Sequence, residues 1–262
     1  MSRIIGIISG KGGVGKTTFS ANLALALSRL NKKVLLIDCN VTTPHMAYYL
    51  GAKYFSSTIN EVLKGNMDIK HAPSFFNNIL FIPASENMED LINMDISKLD
   101  KHINKLIKDT YYDYILLDSA PGLGKEAVSV IKASKEIIFV TTPTIPNLVD
   151  VTKCAEVANR IGIKDFNVIL NMVRSSEFEL KPQEINNMLN FPLLGIIPFD
   201  KKVMDSTAKG VPILLDYSRS HIEHKYMEIA ATLTGAQYNG YSLFHKVKNK
   251  LRGLGSKIRF FR

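Results

Sequence analysis

Residues 10–18 read Gly-Lys-Gly-Gly-Val-Gly-Lys-Thr-Thr and follow the apolar run at 4–8, with only Ser9 between them. The spacing fits the pattern G-x-x-x-x-G-K followed by Ser or Thr, with Gly10, Gly15, Lys16 and Thr17 in register. This pattern requires a strand before it and a helix after it, and both are predicted here. It is typical of a loop that binds phosphate groups, so this stretch determines the local fold: a buried strand, a glycine-rich turn and a helix.

The residue types in this loop suit phosphate oxygens. Glycines at 12, 13 and 15 allow backbone N–H groups to turn toward the oxygens at the positive end of the following helix. Lys16 is expected between the β- and γ-phosphates of a nucleotide, and the Thr17 hydroxyl is expected to bind Mg²⁺ directly. We expect the whole loop to contact ATP or ADP: Gly10, Lys11, Gly12, Gly13, Val14, Gly15, Lys16, Thr17 and Thr18.

Apolar runs of strand length alternate along the chain with segments of helical periodicity. The predicted strands are 3–8, 33–38, 79–82, 114–118, 136–141, 166–170 and 193–197. The predicted helices are 16–30, 97–109, 124–134, 147–161, 182–189, 201–208 and 219–234. This order implies parallel strands joined by right-handed crossovers. The predicted fold class is therefore α/β: three layers, with helices on both faces of a mostly parallel, twisted sheet.

The chain is predicted to contain one domain and a tail. With 262 residues, of which 46% are hydrophobic, it can bury a full core in a single domain at 1–234. A glycine-bearing linker at 235–242 then leads to a basic segment at 243–262.

Polar residues follow several predicted strands, where open parallel sheets bind their ligands. Asp38 ends strand 33–38, Asp118 ends strand 114–118, and Asn171 follows strand 166–170. We expect all three to converge on the phosphate loop. The buried run before Asp118 is typical of a Walker-B carboxylate, which binds Mg²⁺ through water. A carboxylate that only caps the next helix is the alternative.

Lys11 is a second lysine inside the loop. The resulting K-G-G-x-G-K-T run resembles the deviant Walker-A ATPases of the MinD and ParA family, especially archaeal-type MinD relatives, and the resemblance runs from Arg3 to about Leu233. It implies a P-loop NTPase fold, hydrolysis of ATP, and a homodimer that encloses two ATP molecules. In such a dimer Lys11 would reach the nucleotide of the other copy. The alternative is a solvated lysine that only raises the local positive potential.

Asp38-Cys39-Asn40 corresponds to a D-x-D segment of that family. The resemblance implies that Asp38 supports Mg²⁺ through water, and that the second carboxylate holds the attacking water. This chain has Asn40 at the second place. An amide orients water but does not accept its proton. Since proton acceptance matters little when the transition state is loose, we expect slow hydrolysis rather than none.

The resemblance also implies contacts with the adenine base. Asn171 would bond the edge of the base, and Pro198 would flank the purine. The alternatives are an asparagine that forms a turn and a proline that ends a strand. Asp150 matches a family position near the dimer and partner surface, and an exposed helix carboxylate is equally consistent with the sequence.

Several remaining residues are not expected to take part in chemistry. Cys39 and Cys154 are far apart with no C-x-x-C, which argues against disulfides, zinc and iron–sulfur clusters. His221 and His224 are expected on a solvated helix face, since they lack a metal-binding order. Three methionines are expected to fill the core: Met172, Met188 and Met204.

The positive charge is concentrated near the C-terminus. The net charge is +9, and residues 245–262 contain seven Lys or Arg and no Asp or Glu. The remaining chain is close to neutral, which disfavours nucleic-acid binding by the domain itself. Because the sequence lacks an 18-residue apolar run and a charged-then-apolar leader, we expect a cytoplasmic protein.

The tail has an amphipathic pattern. Its apolar residues recur at steps of three or four: Leu243, Val247, Leu251, Leu254, Ile258 and Phe261. Such a helix can lie on an anionic membrane, where each Lys or Arg adds about 1 kcal/mol. MinD proteins end in a similar segment, so we expect peripheral binding to the inner face of the cell membrane. A packed helix, a nucleic-acid arm and a calmodulin-like target are alternatives.

These features predict an ATPase that uses Mg²⁺, hydrolyses ATP slowly to ADP and phosphate, and dimerises with ATP. It would bind the membrane reversibly and position cell-division or other polar or surface machinery, with a protein activator or cargo as partner. One alternative is a ParA-like ATPase that partitions DNA. The other is a slow or non-hydrolysing scaffold that recruits a partner when nucleotide is bound.

Overall fold

The computed structural model describes residues 2–52 and 54–238, which form one sheet with helices on both faces. The strands are β1 Arg3–Ile8, β2 Val34–Asp38, β3 Ser74–Phe76, β4 Ile79–Ile82, β5 Tyr114–Asp118, β6 Glu136–Thr141, β7 Asp165–Val173 and β8 Leu193–Pro198. The α-helices are α1 Lys16–Arg29, α2 Met46–Leu50, α3 Ile59–Lys64, α4 Leu99–Asp109, α5 Lys125–Ala133, α6 Ile145–Ile161, α7 Pro182–Leu189, α8 Lys201–Ala208, α9 Ile213–Asp216 and α10 His221–Thr234. Short 3₁₀ helices lie at Ile69–His71, Met88–Leu91 and Ile96–Lys98.

The strands are ordered β3-β4-β2-β5-β1-β6-β7-β8 across the sheet. All neighbouring pairs are parallel except β3 with β4, which is antiparallel. In the register of the central strands, Ile7 pairs with Asp118 and Asp38 pairs with Asp118. The carboxyl ends of β1, β2 and β5 therefore meet at one edge of the sheet, as predicted for a ligand-binding edge.

Two hydrophobic cores lie on opposite faces of the sheet. Along β1, Ile4 and Ile8 belong to one core and Ile5 and Ile7 to the other, because successive side chains of a strand point to opposite faces. Helices α4, α5, α6 and α7 cover the first face, and α1, α9 and α10 cover the second. Burial on both faces explains why the central strands read as continuous apolar runs.

The predicted fold class is confirmed, and each predicted helix and strand is present within three residues of its expected ends. Four elements were missed: β3, α2, α3 and α9. Each has three to six residues, which is too short for a periodic pattern to identify. The β3–β4 hairpin turns at Asn77 and Asn78, which both have positive φ values, and this turn chemistry was a cue in the sequence.

No helix within the described residues is long and apolar enough to cross a membrane. The predicted amphipathic tail at 243–262, and the second half of the predicted linker at 235–242, lie outside the described residues.

Candidate functional site

The loop between β1 and α1 forms one wall of a cavity of about 540 Å³. Gly13 and Gly15 have φ values of +82° and +83°, a left-handed conformation that favours glycine. A Cβ atom on Gly15 would lie only 2.3 Å from Asn171 Nδ2. Glycine at this position is therefore required twice, by the backbone conformation and by the close approach of β7.

Helix α1 begins at Lys16, immediately after this turn. Its cap residue Gly15 has no side chain to bond the first N–H groups, and its first turn contains no acidic residue. The first N–H groups of a helix lack partners inside the helix and attract anions. The local structure thus presents unpaired donors and positive potential at the cavity wall, as phosphate binding requires.

Asp118 is the centre of a buried hydrogen-bonded cluster. Its Oδ1 accepts from Lys16 Nζ at 3.0 Å and from the Ser20 hydroxyl at 2.6 Å, and its Oδ2 accepts from the Thr17 hydroxyl at 2.8 Å. Lys16 is 6% exposed and Asp118 is fully buried. The structure therefore brings the predicted phosphate lysine into contact with Asp118, which also bonds Thr17, so two of the three predicted metal-binding side chains meet here. Sequence reasoning missed Ser20, which lies one helical turn after Lys16.

Asp38 lies beside this cluster at the end of β2. Burial, and next the charge of Asp118, raise the pKa of Asp38 from its ordinary 3.8 to about 7. Its Oδ1 accepts from the backbone N–H of Asn40 at 3.0 Å, and its Oδ2 accepts from that of Met46 at 3.2 Å. These bonds fix the carboxylate close to Asp118, where two negative charges would favour a cation between them.

Asn40 lines the cavity from the loop after β2. Its side-chain Nδ2 donates to the carbonyl of Thr43 at 2.6 Å, and the Thr43 hydroxyl donates to Asn40 Oδ1 at 3.1 Å. Both polar atoms of the amide therefore have partners within its own loop. An aspartate at this position could not make the first of these bonds because a carboxylate does not donate.

We call the set Lys16, Thr17, Asp38, Asn40 and Asp118 the charged end of the site. The apolar end is a second, smaller cavity of about 50 Å³ that shares five lining residues with the first: Gly15, Thr18, Met172, Val203 and Met204. Its remaining lining residues are Asn171, Ile197, Pro198, Phe199, Asp200 and Tyr226. The structure thus places both predicted base-contact residues, Asn171 and Pro198, in one cavity next to the phosphate loop.

The apolar end is shaped by an irregularity in β7. The pairing of β7 with β8 shifts register between Leu170 and Val173, and Met172 has a φ of +57°. This bulge directs Asn171 toward the phosphate loop, where its Nδ2 donates to the carbonyl of Val14 at 2.8 Å. Bulges commonly redirect side chains next to functional sites. Asn171 is therefore buried and bonded to the loop, instead of only forming a turn.

Lys11 and Asp150 lie on the other side of the loop. Lys11 is exposed at the mouth of the cavity. Gly10, unlike its neighbours, does not line the cavity but packs against α6, where an added Cβ would lie 2.4 Å from the Cβ of Asp150. Asp150 is partly exposed, and its carboxylate pairs with Lys153 at 3.4 Å. It is therefore not buried in the site, and it already has a cationic partner.

The structure adds cavity residues that sequence reasoning missed: Ser9, His45, Tyr49, Val203, Met204, Thr207 and Ala208. Most come from α2 and α8, which carry no motif. Ser9 is different because it directly precedes the motif. It is 1% exposed, and its hydroxyl is the one buried side-chain polar atom in the described part of the chain that has no hydrogen-bond partner.

The remaining sequence expectations have mixed outcomes. Met188 and Met204 are 46% and 59% exposed, so the prediction that they fill the core was wrong, and Met172 lines the cavity. Met188 and Met204 lie on helices of eight residues, and Met172 lies at a bulge. The sequence pattern did not show which side of these elements faces solvent or the cavity. Both cysteines are buried and free. His221 is exposed, whereas His224 bonds the hydroxyl of Tyr238 at 2.8 Å.

The residues of the charged end are consistent with a magnesium–nucleotide ligand. Thr17, Asp38 and Asp118 offer only oxygen atoms, which Mg²⁺ prefers. No group of three or more His, Cys, Asp or Glu that could hold a metal occurs within the described residues. Mg²⁺ is usually held by one or two carboxylates together with the phosphates of a substrate, and Asp38 and Asp118 offer two carboxylates here. The unpaired hydroxyl of Ser9 is a further polar group of a residue that lines the cavity.

Comparison with known proteins agrees with this geometry. An uncharacterized ATP-binding protein of Methanocaldococcus jannaschii is 35% identical over 91% of this chain and 90% of its own length. The septum site-determining protein MinD of Synechocystis is 31% identical over 97% of this chain and 100% of its own. The solved structure of MinD from Pyrococcus horikoshii, complexed with Mg-ADP, is 33% identical with a TM-score of 0.84, covering 89% of this chain and 96% of that one.

A family model described as ParA, NUBPL iron-transfer P-loop NTPase, matches residues 1–234. This range covers the whole sheet, both ends of the site and all ten α-helices of the described residues. The resemblance read from the phosphate loop is thereby confirmed, and the chain belongs to the ParA family of P-loop NTPases.

Proposed function

We propose that this protein is a MinD-like molecular switch that binds ATP and Mg²⁺, dimerises, and attaches reversibly to the inner face of the cell membrane. The observation that supports it most is the buried cluster around Asp118, at the cavity wall formed by the phosphate loop. The relative from Pyrococcus horikoshii, solved with Mg-ADP, supports this choice of ligand.

The charged end suggests a role for each of its residues. Lys16 would exchange its ion pair with Asp118 for the phosphates, which keeps its buried charge neutralised before and after binding. Thr17 would bind Mg²⁺ directly, while Asp118 and Asp38 would hold it through water. The bound ion would supply charge neutralisation at the phosphates. The loop residues 10–18 would hold the nucleotide, with Asn171 and Pro198 beside its base.

Slow hydrolysis is proposed because Asn40 replaces a carboxylate and is bonded within its own loop. The test compares ATP turnover of the wild type with Asn40→Asp. We expect faster turnover in the variant, since a carboxylate accepts the proton that the amide does not. An unchanged rate would remove any special role for Asn40. Phosphate release near zero in every condition would favour the nucleotide-dependent scaffold.

Dimerisation is proposed from the surface around Lys11. Asp150 of α6 packs on Gly10, so the start of α6 lies beside the loop that carries Lys11. There Ile145 and Val149 are 57% and 41% exposed, one helical turn apart. Exposed apolar side chains next to an exposed lysine suit association with a second copy, whose nucleotide would meet Lys11.

Membrane attachment is proposed from the sequence of residues 243–262. Two such tails on one dimer bind far better than one, since the second engages at high local concentration. ATP would then control attachment through dimerisation, giving a cytoplasmic protein that is peripheral on the inner membrane face. A protein activator or cargo would complete the cycle by which it positions division or other surface machinery.

The full-length protein should sediment with anionic vesicles in Mg·ATP and remain in solution in Mg·ADP. Leu251→Glu, on the apolar face predicted for the tail from its sequence, should abolish sedimentation. Asn249→Glu adds the same charge on the predicted polar face, and this variant should still sediment with the vesicles almost as well as the wild type. Sedimentation with DNA but not with vesicles would contradict the membrane role and support a ParA-like partitioning function.

A further inference from the structure

Glu126 joins the two loops that border the charged end. Its Oε1 accepts from the backbone N–H of Thr42 at 2.8 Å and from the Thr42 hydroxyl at 2.8 Å. Thr42 lies in the loop after β2, and Glu126 lies in the first turn of α5, directly after the loop that follows β5. One carboxylate oxygen therefore connects two segments that are 84 residues apart in the chain.

These two loops face the same cavity from different strands. Asn40 and Thr43 line it from the first loop, and Pro121 lines it from the second. Thr42 and Glu126 do not line the cavity. Their contact is therefore not a ligand site and acts only through the residues it holds.

The contact bears directly on Asn40. The Asn40 amide is bonded to Thr43 in both directions, so its orientation depends on the path of the chain from 40 to 43. Glu126 fixes this path at Thr42, in the middle of that stretch. A charged acceptor that takes two hydrogen bonds from one residue sets orientation as well as position.

The phosphate loop and the two joined loops have different tasks. Lys16 and the start of α1 offer donors to phosphates that a diphosphate and a triphosphate have in common. The joined loops line another part of the cavity through Asn40, Thr43 and Pro121, which the additional phosphate of a triphosphate would engage. Loops that are already tied together lose less conformational freedom when they close on a ligand.

We propose that Glu126 is a positioning residue that, through Thr42, holds Asn40 so that both loops respond to the terminal phosphate of a nucleoside triphosphate as one unit. The identity of the ligand rests on the proposed function. The contact would raise affinity for the triphosphate above that for the diphosphate, and it would leave the diphosphate affinity almost unchanged.

The test is isothermal titration of the full-length protein with Mg·ADP and with the Mg²⁺ complex of a non-hydrolysable ATP analogue. In Glu126→Ala the preference for the triphosphate should fall by about tenfold, the size expected for loss of a hydrogen bond to a charged group. Affinity for ADP should stay within about twofold of the wild type, since its donors are untouched. Glu126→Gln keeps an acceptor oxygen and should retain most of the preference.

Two further variants separate positioning from general loss of structure. Thr42→Val removes the hydroxyl and leaves the backbone donor, so it should lower the preference less than Glu126→Ala. Combining the two should have no larger effect than Glu126→Ala alone, because both act on one contact. Lys125→Ala is the matched control: it alters the same turn of α5 and breaks the ion pair with Asp95, away from the cavity.

Several results would overturn the inference. The first two are a wild type without preference for the triphosphate and an unchanged preference in Glu126→Ala. The others are an equal fall in the affinities of Glu126→Ala for both nucleotides, and a fall in triphosphate preference in Lys125→Ala as large as that in Glu126→Ala. A wild type that binds neither nucleotide would overturn the proposed function itself, together with this inference. If the wild type prefers the triphosphate and Glu126→Ala has the same preference, this inference would be overturned while the proposed function would stand.

Discussion

The charged end and the apolar end of the site are stabilised in different ways. At the charged end, Asp118 accepts hydrogen bonds from Lys16, Thr17 and Ser20, which all lie within the first five residues of α1. At the apolar end, the side-chain bond that reaches the phosphate loop comes from Asn171, and the rest of the wall consists of packed apolar groups and a backbone bulge.

This difference indicates how a ligand would act on each end. A ligand at the charged end has to replace buried hydrogen bonds and an ion pair, so binding there rearranges existing contacts. A ligand at the apolar end adds contact with surfaces already in place. We therefore expect substitutions at the charged end to change both stability and nucleotide affinity, and those at the apolar end to change mainly affinity.

The largest effect is expected for Lys16→Ala. Affinity for both ADP and ATP should fall by at least about 100-fold, through loss of the charged donor to the phosphates. The free energy of unfolding should also fall by about 3 kcal/mol, because Asp118 stays buried without its cation. Titration calorimetry and urea denaturation measure the two effects. Lys209→Ala breaks an exposed pair with Asp216 and should leave both the nucleotide affinity and the free energy of unfolding nearly unchanged.

Asp38 should make the stability of the charged end depend on pH. Because burial raises its pKa to about 7, the folded protein keeps this proton between about pH 4 and 7, whereas the unfolded chain has lost it. This contribution to stability is complete below the unfolded pKa and is lost as the pH rises through 7. Denaturation from pH 5 to 8 should show wild-type stability falling relative to Asp38→Asn, by a few kcal/mol in order of magnitude.

Asp113 offers a control of opposite sign. The backbone N–H of Lys33 bonds its carboxylate and holds its pKa below the ordinary value. The contribution of Asp113 to stability is present above its unfolded pKa and is lost as the pH falls through its folded pKa. The free energy of unfolding of the wild type, compared with that of Asp113→Asn, should therefore not fall between pH 5 and 8. A flat profile for the Asp38 comparison would show that its carboxyl titrates as in the unfolded chain.

At the apolar end, Asn171→Ala should lower the affinities for ADP and ATP equally, by about tenfold. The substitution removes the hydrogen bond to the Val14 carbonyl and the polar group predicted to meet the base. Asn167→Ala, on the same strand and outside the cavity, is the control for general loss of β7. A lower affinity for ATP with an unchanged affinity for ADP would place Asn171 with the charged end instead.

The smallest effect is expected for Ser9→Ala. Its hydroxyl is buried without a partner, so removing it should raise the free energy of unfolding of the nucleotide-free protein by about 1 kcal/mol. If the hydroxyl meets the ligand, the same variant should bind nucleotide less tightly by a few-fold. Thermal denaturation with and without Mg·ADP measures both. Greater stability with unchanged binding would remove Ser9 from the site.

The two ends also differ in how far the sequence predicted them. Lys16 and Thr17 were found because a phosphate loop needs particular residues at fixed spacing after a buried strand, and Asp118 was found because it ends an apolar strand. The parallel register then brings them together. The contacts of Ser20 with Asp118 and of Glu126 with Thr42 were not predicted, since no spacing in the sequence encodes an encounter between separate elements.

The apolar end was only partly predicted. Asn171 and Pro198 came from family resemblance, whereas Met172 and Met204 were expected in the core. The bulge in β7 redirects Met172, and α8 leaves Met204 exposed, and both outcomes depend on tertiary packing that periodicity does not describe.

The most direct test of the proposed switch is the molar mass of the full-length protein by multi-angle light scattering, in Mg·ADP and with the Mg²⁺ complex of a non-hydrolysable ATP analogue. We expect the wild type to be a monomer with ADP and a dimer with the triphosphate. Lys11→Ala should be a monomer with both nucleotides, while its own nucleotide affinity should change little. A wild type that stays monomeric with saturating triphosphate, or a Lys11→Ala variant that dimerises as the wild type does, would contradict the proposed switch.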